Sequence, residues 1–233
     1  MTNLFEKDPY LKEFESKIIN VNQEFKTLEL ENTAFYAKGG GQPGDTGIIE
    51  IDGEKLEVID TTKNGGSIFN IVENIKNAEK EKKIIGKINW KKRYKYMRMH
   101  SALHIICSAI PLDVTGGQIG FEKSRLDFND PEKNINKEEI EEKINALVKE
   151  NHSISYEYLD SKILEEKPEI VRTMSVKPPK INGKIRLVRI GNIDYQPCGG
   201  THVNTTLEIG EIKVSKVENK GRMNRRVNIL LND

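Results

Sequence analysis

The stretch NWKKRYKYMRMHSALHIICSAIP, residues 89 to 111, decides how this chain is organised. Asn89 can cap a helix running from about Trp90 to Ile110, and Pro111 marks its end. Met97, His100, His104, Cys107 and Ala109 or Ile110 track the buried side of that helix. Polar imidazoles on an otherwise apolar stripe need compensation, and a metal ion supplies it.

Ahead of the helix, short β-type runs are separated by turn residues: Lys17 to Val21, Phe25 to Glu31, Gly47 to Ile51, Lys55 to Asp60, Ser67 to Val72 and Ile84 to Ile88. Gly44-Asp45, Asp52-Gly53 and Asn64-Gly65-Gly66 are turn signals, and Asp52-Gly53 lies between two runs as a hairpin loop does. Strands at this spacing predict a small β-barrel or sandwich, with Asn77 to Lys83 as an exposed loop. Behind the helix the pattern is mixed. Gln118 to Phe128, Ser153 to Leu159, Lys184 to Ile190, Gly210 to Val217 and Val227 to Leu231 read as strands, and Ser161 to Glu166 as a short helix. A longer helix, about Asn136 to Glu150, opens with Asn136 and Glu139 in capping-box spacing and buries Ile140, Ile144 and Leu147. Lys177-Pro178-Pro179-Lys180 reads as a surface loop. Strands and helices without regular alternation predict an α+β chain, divided into an N-terminal β-barrel over residues 1–88 and an α+β domain over 89–233.

A length of 233 residues, 36% of them hydrophobic, is enough for a packed core, and 31% charged residues suit a soluble cytoplasmic protein. The two widely spaced cysteines do not form a disulfide framework, which points to a reducing compartment. Met1 to Tyr10 lacks the apolar core of a signal peptide, and no run reaches the ~18 apolar residues of a membrane helix. The net charge of +1 does not separate nucleic-acid partners from others. Local density says more. Lys91, Lys92, Arg93, Lys95 and Arg98 interleave with Tyr94 and Tyr96, while Lys213, Lys216, Lys220, Arg222, Arg225 and Arg226 form a second basic segment. Two such segments raise the expectation of a phosphate-rich substrate.

The chemistry concentrates in two clusters. His100 and His104, four apart on a helix, point from one face with Cβ atoms ~5–6 Å apart, so both can reach one ion. About a hundred residues later, Cys198-Gly199-Gly200-Thr201-His202 puts a thiol and a third imidazole in a glycine-rich turn that can bring both to a point. Three imidazoles and a thiolate suit zinc far better than magnesium or calcium, whose ligands are oxygens. Cys107 is expected to pack in the core, and His152, alone after a charged helix, to be a solvated surface residue. Asp45 and Asp194 stand near the motifs without an assigned role.

His-x3-His, the CGGTH turn and the upstream string Phe35-Tyr36-Ala37-Lys38-Gly39-Gly40-Gly41-Gln42-Pro43-Gly44-Asp45-Thr46-Gly47 occur in that chain order: string, helix, turn. In this the chain resembles the freestanding alanyl-tRNA editing proteins of AlaX type, in the longer form with a glycine-rich motif, which are related to the editing region of alanyl-tRNA synthetase. The resemblance runs from about Thr33 to near the C-terminus. It implies a barrel followed by a zinc-dependent tRNA-editing domain, with His100, His104, Cys198 and His202 as zinc ligands and Thr115 near the family's hydroxyl-sensing threonine. It implies that the glycine-rich string shapes the substrate entrance, although tight β-turns explain the same glycines without any ligand. The string is not a phosphate loop, since G-x-x-x-x-G-K-[ST] is missing, and no nucleotide cofactor is expected.

The implied reaction is hydrolysis of the ester joining a wrong amino acid, chiefly serine and secondarily glycine, to the 3′ adenosine of alanine tRNA, with the acceptor-stem phosphates held by the basic segments. The catalytic group stays unassigned, a zinc-bound water being the suspected nucleophile; four protein ligands fill a tetrahedron, whereas catalytic zinc keeps one position open. Two alternatives stand beside it: a structural-zinc RNA-binding module without catalysis, and another zinc-dependent esterase. Ser101 rather than glutamate follows His100, which disfavours a zincin protease.

Overall fold

The computed structural model describes residues 2–172, 180–181 and 184–232. The Lys177 to Pro179 part of the expected surface loop lies outside the described residues. Two compact units emerge, Met1–Lys95 and Tyr96–Asp233.

The first unit contains β1 (Thr2–Asn3), α1 (Leu4–Lys7), β2 (Glu13–Asn22), β3 (Thr27–Leu30), β4 (Asn32–Thr33), β5 (Gly47–Ile51), β6 (Glu54–Asn64), β7 (Ser67–Val72) and β8 (Lys83–Ile88). A closed barrel runs β2-β3-β7-β6-β5-β8, so the expected choice between barrel and sandwich falls to the barrel. Alternation makes it possible. In β7, β8 and the first part of β2, Glu13 to Ile18, every second residue is buried, and Phe14, Ile18, Leu28, Leu30, Ile49, Ile51, Leu56 and Val58 fill the interior. Asp52 and Gly53 both take positive φ, 52° and 84°, between β5 and β6 paired as Ile51↔Glu54, as the two-residue hairpin signal predicts. The strand ends differ from expectation at several places, among them β2, which starts at Glu13 rather than Lys17 because Glu13 to Ser16 pair with Lys87 to Ile84. Phe25 is not in a strand: Asn22 Oδ1 accepts from Phe25 N at 3.0 Å, and this side-chain turn leaves Phe25 exposed and starts β3 at Thr27. Strand β6 runs past Asp60 to Asn64 because Thr61 to Asn64 pair with Asn70 to Ser67.

The glycine-rich string is a folded turn series. Gly39 and Gln42 exchange backbone hydrogen bonds at 3.1 and 2.9 Å around Gly40 and Gly41, whose φ values are 54° and 80°. The reversal therefore sits at Gly40-Gly41 and not at Gly44-Asp45. Gly44 serves another purpose, since a Cβ there would stand 2.1 Å from Thr61 O. Asp45 closes the series by accepting from Tyr36 N at 2.6 Å and by pairing with the Arg93 guanidinium, which also donates to Pro9 O and Ala34 O. Arg93 is 0% exposed, so it is removed from the basic segment proposed for phosphate contact.

The boundary between the units falls inside α2 (Trp90–Ala109), whose first turn is capped by Asn89 Oδ1 accepting from Lys92 N. The expected buried stripe proves too narrow a description. From Met99 to Cys107 every residue is buried, which suits a central helix rather than an amphipathic one.

The second unit continues with β9 (Val114–Gln118), β10 (Ser124–Asn129), α3 (Lys137–Lys149), β11 (Ile154–Asp160), α4 (Ile163–Glu166), β12 (Lys180–Ile181), β13 (Lys184–Ile190), β14 (Asp194–Pro197), β15 (Ile212–Lys220) and β16 (Asn224–Leu231). One antiparallel sheet runs β15-β16-β10-β9; in the other, β13 is flanked by β11, β12 and β14. The predicted single strand Gln118 to Phe128 is two, because the chain turns between β9 and β10 and pairs Arg125 with Gln118. In α3 Asn136 accepts from Glu139 N as expected, but of the expected Ile140, Ile144 and Leu147 only Ile144 is buried, together with Val148: the helix presents the i, i+4 pair to the core. With its barrel, antiparallel sheets and few helices the chain is α+β. No helix among the described residues is long and apolar enough to cross a membrane.

Candidate metal centre

Helix α2 carries His100 and His104 one turn apart, and β14 delivers Cys198 immediately after its last residue. The Cys198–His202 turn then bends back so that one ligand atom from each of His100, His104, Cys198 and His202 lies within 4.8 Å of every other. Cys198 Sγ stands 3.4 Å from His100 Nε2 and 3.3 Å from His202 Nε2. Bond lengths near 2.0 and 2.3 Å give an N···S edge of about 3.5 Å in a tetrahedral site, so these separations are those of two ligands on one ion. His100, His104 and His202 are buried and Cys198 is half-buried. The group can hold a metal ion.

Each flanking contact orients a donor. His104 Nδ1 lies 2.7 Å from Asp194 Oδ2; the carboxylate accepts, so Nδ1 carries a proton and the Nε2 lone pair is directed inward. Gln196 Nε2 donates to both oxygens of the same carboxylate at 3.0 Å. His202 Nδ1 lies 3.1 Å from Ser101 Oγ, which also accepts from Val203 N. Gly200 N donates to Cys198 Sγ at 3.4 Å.

The electrostatics favour a thiolate. Burial pushes the Cys198 thiol up, but the His100 and His202 imidazoles beside it bring it well below its ordinary value. Burial and then His100 hold His202 well below the usual histidine range. Burial lowers His104, but Asp194 and Cys198 outweigh it and carry the metal-free imidazole up to about 10, so a metal ion taking Nε2 would displace a proton there. Cys107, buried and outside the four, is pushed up to about 12 chiefly by burial, as fits a core thiol.

Asp194, left without a role by sequence reading, thus touches a candidate ligand. Nothing in residue spacing identifies it, since its partner is 90 positions away. Thr115 lies in β9, where its hydroxyl contacts Asp127 O at 3.2 Å and Asn224 Oδ1 at 3.1 Å. His152 is not simply solvated: it is half-buried, with Nε2 2.6 Å from Glu150 Oε2. In the second basic segment Lys216 and Lys220 pair with Glu218, and Arg226 with Asp127, while Lys213 and Arg222 are exposed.

Residues 185–228, which include Cys198 and His202, match the family described as threonyl and alanyl tRNA synthetase second additional domain. Residues 5–92 match class II (A) tRNA synthetases. The alanyl-tRNA editing protein AlaX-M of Methanosarcina mazei is 38% identical, over 99% of this chain and 96% of its own. The chain belongs to the AlaX alanyl-tRNA editing family. AlaX-M of Methanosarcina acetivorans is 37% identical over 99% of this chain and 98% of its own, and an alanine–tRNA ligase of Pyrococcus furiosus is 34% identical over 92% of this chain but only 24% of the ligase. Nearly the whole chain therefore corresponds to freestanding AlaX-M proteins, and to about a quarter of the synthetase.

Proposed function

We propose that this AlaX-family chain hydrolyses mischarged alanine tRNA in trans, removing serine chiefly and glycine as well, with zinc at His100, His104, Cys198 and His202. Membership of the editing family makes it an aminoacyl-tRNA deacylase acting on a tRNA substrate. The observation that carries the zinc reading is the meeting of four N and S donors from segments about a hundred residues apart. Zinc bound there supplies Lewis acidity toward the ester carbonyl and toward water.

The chain's own residues do the rest. Asp194 keeps the His104 proton on Nδ1 and leaves Nε2 for the ion, and the Ser101 hydroxyl, 3.1 Å from His202 Nδ1, orients that ring. Burial of the group excludes bulk water and strengthens each electrostatic contact. Thr115 senses the serine hydroxyl in this reading. A hydroxyl-accepting site is needed because an apolar pocket rejects a near-isostere that adds a hydroxyl by only ~10²-fold, whereas a site that hydrogen-bonds the hydroxyl rejects the analogue lacking it by about 10⁴-fold or more. The exposed cations Lys91, Lys92, Lys213 and Arg222 hold acceptor-end phosphates, so affinity falls with salt. We assign hydrolysis to residues 89–233 and a supporting role to 1–88. Ester hydrolysis needs no nucleotide cofactor.

The deciding experiment follows deacylation of serine-charged and alanine-charged alanine tRNA, with and without a zinc chelator. Metal-dependent loss of serine with alanine retained is expected. Tight tRNA binding without turnover would instead make the chain a structural-zinc module, and cleavage of simple esters alone would make it a different hydrolase.

A further inference from the structure

Arg186 is a buried cation that the deacylase reading does not use. It is 2% exposed, and it engages the ligand turn twice: its backbone carbonyl accepts from Cys198 N at 3.1 Å, and its Nη1 donates to Cys198 O at 2.8 Å and Gly200 O at 2.9 Å. The guanidinium lies 3.9 Å above the ring of Tyr156, and the Tyr156 hydroxyl reaches His202 O at 3.5 Å. Together these two side chains contact Cys198, Gly200 and His202, at both ends and the middle of the turn that presents a thiol and an imidazole. The remaining Arg186 donors, Nε and Nη2, have no hydrogen-bond partner among the described residues. Leaving buried guanidinium donors unmatched costs stability, so stabilisation of the fold does not by itself account for Arg186.

We infer that Arg186, stacked on Tyr156, is a positioning residue that holds the Cys198–His202 turn in metal-binding geometry. Glycines 199 and 200 let the turn bend tightly but leave it without side chains to pack, so its shape must be imposed from outside. A planar guanidinium can stack on an aromatic face and bridge two carbonyls at once. A lysine ammonium is a point charge on a flexible stem and cannot do both. The inference rests on the zinc reading above and concerns affinity for the ion, not turnover.

The test measures zinc dissociation constants by chelator competition on the full-length chain, with the absorption spectrum of the cobalt-substituted protein and the melting temperature of the metal-free protein. Arg186→Lys and Tyr156→Leu are expected to weaken zinc by about tenfold or more and to reduce the tetrahedral cobalt bands, with the metal-free melting temperature little changed. Tyr156→Phe keeps the stack and gives up only the 3.5 Å contact with His202 O, so it should weaken zinc much less than Tyr156→Leu does. Zinc affinity of Arg186→Lys and Tyr156→Leu within twofold of wild type, or a Tyr156→Phe loss as large as that of Tyr156→Leu, overturns the proposal. Should Arg186→Lys fail to fold, the two Tyr156 variants decide. A wild-type chain that binds no zinc sinks the metal reading itself, a result distinct from equal binding by wild type and variants.

Discussion

Asp194 Oδ2 sits 2.7 Å from His104 Nδ1, joining a short β-strand to the central helix through one charged hydrogen bond. With the proton fixed on Nδ1, the other imidazole nitrogen is committed to the cluster. Asp194→Asn keeps the shape and removes the charge. Its zinc affinity is expected to fall by roughly tenfold, read by chelator competition; an unchanged constant would return Asp194 to a structural role.

The four donors converge on one point, so removing any one of them weakens the hold on the ion they would share. His104→Ala and Cys198→Ala should each reduce zinc stoichiometry by elemental analysis and abolish deacylation of serine-charged alanine tRNA. Unchanged zinc content in either variant removes that residue from the ligand set. Chelation of the wild type should inactivate it, and added zinc should restore activity.

Asp45 and Arg93 form a buried ion pair in the first unit, with Arg93 Nε 3.0 and 2.9 Å from the two carboxylate oxygens. Removing one partner strands the other charge. Asp45→Asn is expected to lose about 3–5 kcal/mol in denaturant unfolding, whereas replacement of an exposed lysine such as Lys55 should change stability little.

Two glycines of one motif should respond differently to alanine. At Gly44 the added methyl collides with the Thr61 carbonyl, a backbone atom that cannot step aside, so Gly44→Ala should unfold or severely destabilise the barrel. Gly40 has open space and only a positive φ, so Gly40→Ala should cost about 1–2 kcal/mol. Thermal melts of both variants compare them; equal losses would show that the turn, not close approach, governs the motif.

Thr115→Val keeps the side-chain volume and removes the hydroxyl. If Thr115 senses serine, the ratio of seryl to alanyl deacylation rates should drop by about tenfold or more, with zinc content unchanged. A constant ratio places the selecting hydroxyl elsewhere.

Much of the fold was legible because its signals are local. Alternation marked the barrel strands, Asp52-Gly53 marked a hairpin, and Asn89 and Asn136 marked helix starts, each readable within a few residues. Strand β14 was not legible. Asp194-Tyr195-Gln196-Pro197 has poor strand propensity, and its extended form comes from pairing with β13. The split of Gln118 to Phe128 was likewise hidden, since a continuous β-type run does not say where it folds back.

Residue type and spacing by themselves determined which atoms can bind a metal: four apart on a helix, and flanking two glycines in a turn, they state the donor chemistry before any folding. Tertiary structure alone decided what those atoms touch. It buried Arg93 against Asp45 and out of solvent, set Asp194 behind His104, and laid Arg186 between Tyr156 and the ligand turn. The physical reason is that propensity and periodicity act over a few residues, whereas burial and charge pairing are settled between segments far apart in the chain.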